Sequence, residues 1–314
     1  MASACRRFLL STALMLVVAV AMASCGVQSS DSNPAQAEPS AVTEETTLPT
    51  TTGAAAPPSP TTKPVAMTPQ EIAMGAIKAS QSMKSVGFDL EFSMSLGLPS
   101  TGTMNMQQTG SGRVDITDKE MDLTFAMTMD IPNQGKQSGT GEMVTTNGWL
   151  YMKTAVSGGA DQWTKMKLTD EMWAAQNRLT STTALLSSPV GLEISGSEVM
   201  RGVDCYVLSI NPDMASLSNW VAGQTQPGQN TTNLGGSDLS KALDSFTVKE
   251  WIRKDTLLPA KALVQVKLDP TSSGSSTTTA MQMSVAVTFT DYGKSVDITL
   301  PAEALNAKEL VTTK

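Results

Sequence analysis

Histidine is absent from all 314 residues of this chain, and cysteine occurs three times, at Cys5, Cys25 and Cys205. Without histidine the usual general base, metal ligand and triad partner are gone together, so hydrolytic chemistry is disfavoured. Aromatics make up only 4% of the residues, which removes the flat rings that normally supply much of a core's volume. Basic residues are outnumbered, 22 to 29. A nucleic-acid partner is disfavoured too, because neutralising phosphates needs a basic face. No Gly-rich phosphate cradle, nucleophile elbow or metal-ligand spacing occurs. The chain therefore reads as a non-enzyme without a cofactor.

What is present begins at the N-terminus. Arg6 and Arg7 precede an apolar run over residues 8–20, which leads into Ala21-Met22-Ala23-Ser24-Cys25. The run is too short to stay in a bilayer as a span, and the small residues before Cys25 suit a signal peptidase. These last residues resemble the bacterial lipobox, in which cleavage falls just before a cysteine that receives diacylglycerol. Met22 departs from that pattern, where leucine is usual. The alternative is an ordinary secretory signal cut near Ala23, which leaves Cys25 unexplained. On the lipobox reading, residues 1–24 are the signal and Cys25 is the lipidated end. The mature protein is then anchored to the cell membrane, facing the extracytoplasmic side.

The cysteines agree with this. Cys5 leaves with the signal and lipid consumes Cys25, so Cys205 stands alone and no internal disulfide is available. Within Val203-Asp204-Cys205-Tyr206-Val207 it reads as a small strand hydrophobe. Removing Arg6 and Arg7 leaves 20 basic residues against 29 acidic, a net charge of −9.

Residues 25–66 change character. Ser, Thr, Ala and Pro dominate, with prolines at 34, 39, 49, 57, 58, 60 and 64, and large hydrophobes are nearly absent. Such a segment buries too little apolar surface to offset its ordering entropy, so it reads as a disordered tether. A flexible coil of that length reaches about 35 Å, more where the prolines stiffen it.

The expected globular domain spans 67–314. Thr68-Pro69-Gln70-Glu71 has the form of a capping box with proline in the first turn, and Ile72, Ala76, Ala79 and Met83 follow at helical spacing. After Ser85 the period switches to two. Phe88, Leu90, Phe92, Met94 and Leu96 alternate with polar residues, as do Met121, Leu123, Phe125, Met127, Met129 and Ile131, and then Met281, Met283, Val285, Val287 and Phe289. Shorter strands are predicted over 103–117, 142–147, 149–154, 163–168, 192–200, 203–210, 246–253 and 260–269, and helices over 169–179, 213–222 and 237–243. Turn signals include Asn147-Gly148 and Arg201-Gly202. About ten strands in sequential order predict one curved antiparallel meander in a mainly β (α+β) fold. Since a single apolar face must be covered, the economical arrangement is a half-open β-barrel over a few helices.

At this point the residues resemble a family. A lipobox, a low-complexity tether, an amphipathic helix and Phe88-Asp89-Leu90-Glu91-Phe92 opening a long meander are similar to the bacterial lipoproteins around LolA, LppX and LprG. Further echoes are Gly148-Trp149-Leu150-Tyr151-Met152-Lys153, Trp163-Thr164-Lys165-Met166, Val203-Asp204-Cys205-Tyr206-Val207-Leu208 and Val248-Lys249-Glu250-Trp251-Ile252-Arg253-Lys254-Asp255, followed by Leu258-Pro259-Ala260-Lys261. The resemblance implies a half-barrel that carries acyl chains or lipidated molecules in a cavity.

Methionine supplies independent support. The chain has 20 methionines, many on the alternating faces, and their thioethers either fill a core short of aromatics or line an adaptable apolar cavity. The residues expected to line it are Phe88, Leu90, Phe92, Met94, Leu123, Phe125, Met127, Met129, Met281, Met283 and Val285. The partners implied are a lipid or acylated ligand and a membrane reached through the lipid anchor. The alternative is an envelope sensor or protein-interaction module of the same fold, with an envelope protein as partner. Trp149 with Tyr151 is a rim feature or surface packing, Trp173 and Trp220 sit on candidate lids or in the core, and Asp89 and Glu91 point outward as a solvated pair rather than as acid and base.

Overall fold

In a computed structural model of the chain the described residues are 67–98, 102–156, 162–170, 172–173, 191–211, 243–268 and 280–310. The signal, Cys25, the tether, Trp220 and the helix expected over 213–222 lie outside them. Of the helix expected over 169–179, Asp170, Met172 and Trp173 are described and helical. The helix expected to end at Leu243 is corrected there, because Leu243 begins a strand.

The N-terminal helix α1 (Pro69–Gln81) starts where the capping box places it. Thr68 Oγ1 accepts from the Glu71 amide at 3.3 Å, and the Glu71 carboxylate accepts from the Thr68 amide at 2.7 Å. Such a cap is worth about 1 kcal/mol. The buried stripe is Ile72, Ala73, Ala76 and Ser80, while Ala79 is only half-buried. Apart from Ile72 these are small residues, which let the helix lie close to the sheet.

The strands fall into two antiparallel runs. The first comprises β1 (Ser85–Leu98), β2 (Gly102–Asp115), β3 (Glu120–Ile131), β4 (Gly135–Thr146), β5 (Trp149–Val156) and β6 (Trp163–Lys167). The second comprises β7 (Leu192–Met200), β8 (Val203–Ile210), β9 (Leu243–Arg253), β10 (Pro259–Leu268) and β11 (Met281–Thr290). They join where β1 pairs with β11, Phe88 opposite Phe289 and Phe92 opposite Val285. The single sequential meander is therefore corrected to two meanders side by side, with β6 and β7 far apart in strand order. This order puts two of the cleanest alternating runs at the centre of the sheet, where each gains neighbours on both sides.

A twelfth strand, β12 (Lys308–Glu309), runs parallel beside β6, with Lys308 opposite Thr164. The strand order runs from β12 to β7, so the twelve-stranded sheet is curved and open rather than closed into a barrel. Hairpin turns fall at two predicted dipeptides, with φ of +52° and +74° at Asn147 and Gly148 and +50° and +83° at Arg201 and Gly202. Two successive left-handed residues match the twist of a two-residue hairpin.

The outer face carries a feature the periodicity did not reveal. After β11, residues 291–310 cross this face, and Ile298, Ala304 and Ala307 pack on Val144 and Trp163. Ser85 Oγ donates to the Lys294 carbonyl at 2.6 Å, and the Leu310 amide donates to the Lys165 carbonyl at 2.8 Å.

Candidate functional site

Strand register sorts the inner face into rows that run across the sheet. One row holds Met143, Leu123, Gly112, Phe88 and Phe289, and the next Gly141, Phe125, Gly110, Leu90 and Val287. A third holds Gly139, Met127, Gln108, Phe92 and Val285. Then come four methionines on adjacent strands, Met129, Met106, Met94 and Met283, and beyond them Met104, Leu96 and Met281. At about 4.8 Å per strand, the four-methionine row spans roughly 14 Å.

All eleven residues expected to line a cavity thus share one face. Ten belong to one apolar cluster, while Met281 shares its row with Leu96 outside that cluster. Phe88, Leu90, Phe92, Leu123, Phe125, Met127, Met129 and Val285 are buried, whereas Met94, Met281 and Met283 are half-buried. The face is therefore closed at its aromatic end and more open at its methionine end.

The aromatic floor depends on glycine. A β-carbon at Gly112 would meet Phe88 Cζ at 2.6 Å and collide with the Asp122 carbonyl, and one at Gly141 would meet Phe125 Cε1 at 2.5 Å. Both rings lie down over bare backbone, which sets the depth of this end of the face. Sequence reasoning missed this role, and it missed Gln108, because β2 offers Met104, Met106, Gln108, Gly110, Gly112 and Val114 to the inner face and only half of these look apolar.

α1 covers a different part of the same face. Ile72, Ala73 and Ala76 pack with Leu208, Ile210, Val248, Ile252 and Val264 of β8, β9 and β10. The methionine rows lie in a separate cluster that contains no α1 residue. Among the described residues outside strands, Met83 and Trp173 belong to that cluster, and Ile116, Leu168, Leu258 and Tyr292 pack against it. Trp173, from a predicted helix, is thus an inner-face residue.

Carboxylates are distributed so that no acid–base pair forms from those considered. Asp89 lies on the outer face and accepts from Arg201 at 2.5 Å, and Glu91 is exposed. Glu250 is 1% exposed on the inner face, opposite Ala262 and Leu208. Trp149 and Tyr151 are on the outer face, with Lys165 Nζ 5.0 Å from the Trp149 ring centroid and Tyr151 packed beside Trp163. They are surface packing on the outer face, Tyr151 against the C-terminal segment, and not a rim of the inner face.

A groove of about 490 Å³ lies on this outer face, lined in part by Asp89, Asp122, Glu142, Asp291 and Arg113. Each of these carboxylates faces a cation, namely Arg201, Arg113, Lys153 and Lys294 respectively. The Lys294 ammonium holds the Asp291 carboxyl below the usual range. An acyl chain laid in this groove would take the paired charges out of water, and the groove is set aside in favour of the inner face. Among the described residues no cluster of three acidic or cysteine side chains is placed to hold a metal, and no helix is long and apolar enough to cross a membrane.

Fold and site together define a mainly β protein with an open sheet whose one face is apolar and rich in methionine. Residues 68–309 match the model of the DUF6612 family, described as a family of unknown function, and the chain belongs to that family. No curated protein matches it. Among solved structures it is similar to the Mycobacterium tuberculosis lipoprotein LppX, at 12% identity and a TM-score of 0.40, over 74% of this chain and 98% of that one. It is similar to LprF from Mycobacterium bovis at 15% identity and 0.40, over 74% and 97%. A DUF1329 family protein from Desulfovibrio piger ATCC 29098 follows at 12% identity and 0.24, over 74% and 93%. The lipoprotein group that the sequence resembles is thus represented among these structures.

Proposed function

We propose that this protein is an envelope lipoprotein, anchored through Cys25, that carries or chaperones lipids or lipidated molecules on its apolar inner face without acting on them chemically. The observation that carries this reading is the row Met129, Met106, Met94 and Met283, contiguous in register and outside the patch that α1 covers. Thioether chains repack at low cost and accept guests of varied length and branching. Each methylene moved out of water contributes about 0.8 kcal/mol without needing a directional contact. The tether over 25–66 lets the folded unit over 67–314 work about 35 Å from the membrane that holds the lipid anchor.

Native mass spectrometry of the chain purified without its first 25 residues, followed by organic extraction, tests the binding. Co-purifying acyl material is expected. A clean apo mass that stays unchanged after incubation with phospholipid vesicles refutes the carrier and favours the sensor reading. Anchoring is tested separately, since Cys25→Ala is expected to abolish the diacylglycerol mass increment.

A further inference from the structure

Near the middle of the apolar inner face, among the methionine and aromatic rows, stands a polar side chain. Gln108 is 3% exposed, stands between Phe92 and Met127 in register, and its Nε2 has no hydrogen-bond partner. Its same-face neighbours on β2 are Met106 and Gly110. A buried amide with an unmet donor is destabilising, and an apolar side chain of similar shape would relieve it. Positions 104 and 106 of the same strand carry methionine, which has nearly that shape. The exception asks for a group that arrives from outside.

We infer that Gln108 is a polar anchor for the guest: its Nε2–H donates to a buried carbonyl oxygen of an ester- or amide-linked acyl chain. The inference rests on the carrier reading and adds the chemical class of guest. A carbonyl suits the place because none of the residues flanking Gln108 in register or on β2 is charged, so a phosphate or carboxylate would be buried there without a counter-ion. An ether oxygen accepts more weakly, and a plain hydrocarbon not at all. Gln108 lies one row from the four methionines, so the alkyl chain runs among thioethers while its carbonyl end stops at the amide.

The test uses the full chain as cells process it, transferred from membranes into an amphipathic polymer. It is offered dipalmitoyl phosphatidylglycerol or the di-O-hexadecyl ether counterpart, and bound lipid is counted by native mass spectrometry. The wild type is expected to prefer the ester lipid roughly tenfold, the worth of one buried hydrogen bond whose donor is otherwise unmet. Gln108→Met should erase that preference. Thr145→Val, which removes another unpartnered and fully buried polar atom of the inner face, should leave it intact. Equal binding of the two lipids by the wild type, or a preference that survives Gln108→Met, overturns the inference and leaves the carrier reading standing. Binding of neither lipid overturns both. The wild-type comparison needs no variant, so the test decides even if Gln108→Met does not fold.

Discussion

Replacing Gly141 with alanine is expected to destabilise the protein and to lift an aromatic ring into the inner face. A β-carbon there would stand 2.5 Å from Cε1 and 2.7 Å from Cε2 of Phe125, with Cζ closer still. On backbone with ordinary φ, alanine gains about 0.4–1 kcal/mol over glycine by narrowing the unfolded ensemble. Overpacking a close-packed site costs about 1–3 kcal/mol. The loss therefore wins, by about 1–2 kcal/mol, and Tm falls by roughly 3–6 °C for a domain of this size. Gly112→Ala should cost more. Its β-carbon meets not only Phe88 but the Asp122 carbonyl, and a carbonyl in the sheet ladder cannot swing aside as a ring can. Gly75→Ala should cost least, because its close neighbour is Cδ1 of Leu257, the far end of a flexible side chain, and alanine favours the helix by about 1 kcal/mol. Thermal unfolding followed by circular dichroism gives the ranking. A double-mutant cycle of Gly141→Ala with Phe125→Leu isolates the ring contact and should return a coupling of about 1 kcal/mol. A Gly141→Ala protein that melts at or above wild type, or a cycle with no coupling, refutes the idea that the rings lie over bare backbone.

Two further outcomes follow from single groups. Cys205 is fully buried, its Sγ donates to the Val203 carbonyl at 3.5 Å, and burial pushes its thiol up in pKa. It should resist a disulfide reagent at pH 8 until the protein unfolds, and rapid native labelling would contradict this. The Arg253 guanidinium holds the Asp255 carboxyl down at about 2. Because the folded value lies below the unfolded one, the pair's contribution is complete above about 3.9 and is lost as pH falls through about 2. Asp255 is exposed, so the stability effect is small and screened by salt. NMR titration should place its midpoint near 2 and move it towards the ordinary aspartate value in Arg253→Gln. An unmoved midpoint would exclude the guanidinium as the cause.

Legibility tracked the clarity of local patterns. The runs from Phe88 and from Met121 read correctly because burial on one face alone imposes a period of two, and Thr68-Pro69-Gln70-Glu71 read correctly because a cap is a contact within four residues. β4 was predicted from residue 142 and begins at Gly135, since Gly135-Lys136-Gln137-Ser138-Gly139-Thr140 shows no alternation and pairs only because β3 lies beside it. Gln108 and Gly112 escaped notice because their meaning lies in the residues opposite them, Phe92 and Phe88.

The amino-acid order by itself determined that this is a mainly β chain with a capped helix, one methionine-rich apolar face and strands bounded by Asn147-Gly148 and Arg201-Gly202, all of which depend on neighbours within a few residues. Tertiary structure alone decided that β1 pairs with β11, that the C-terminal segment crosses the outer face, that α1 covers β8 to β10 and not the methionine rows, and that Gln108 stands among apolar residues. Those outcomes come from competition among many similar strands for partners and cover, and the winning arrangement is the one that buries the most apolar surface while keeping the ladder hydrogen bonds.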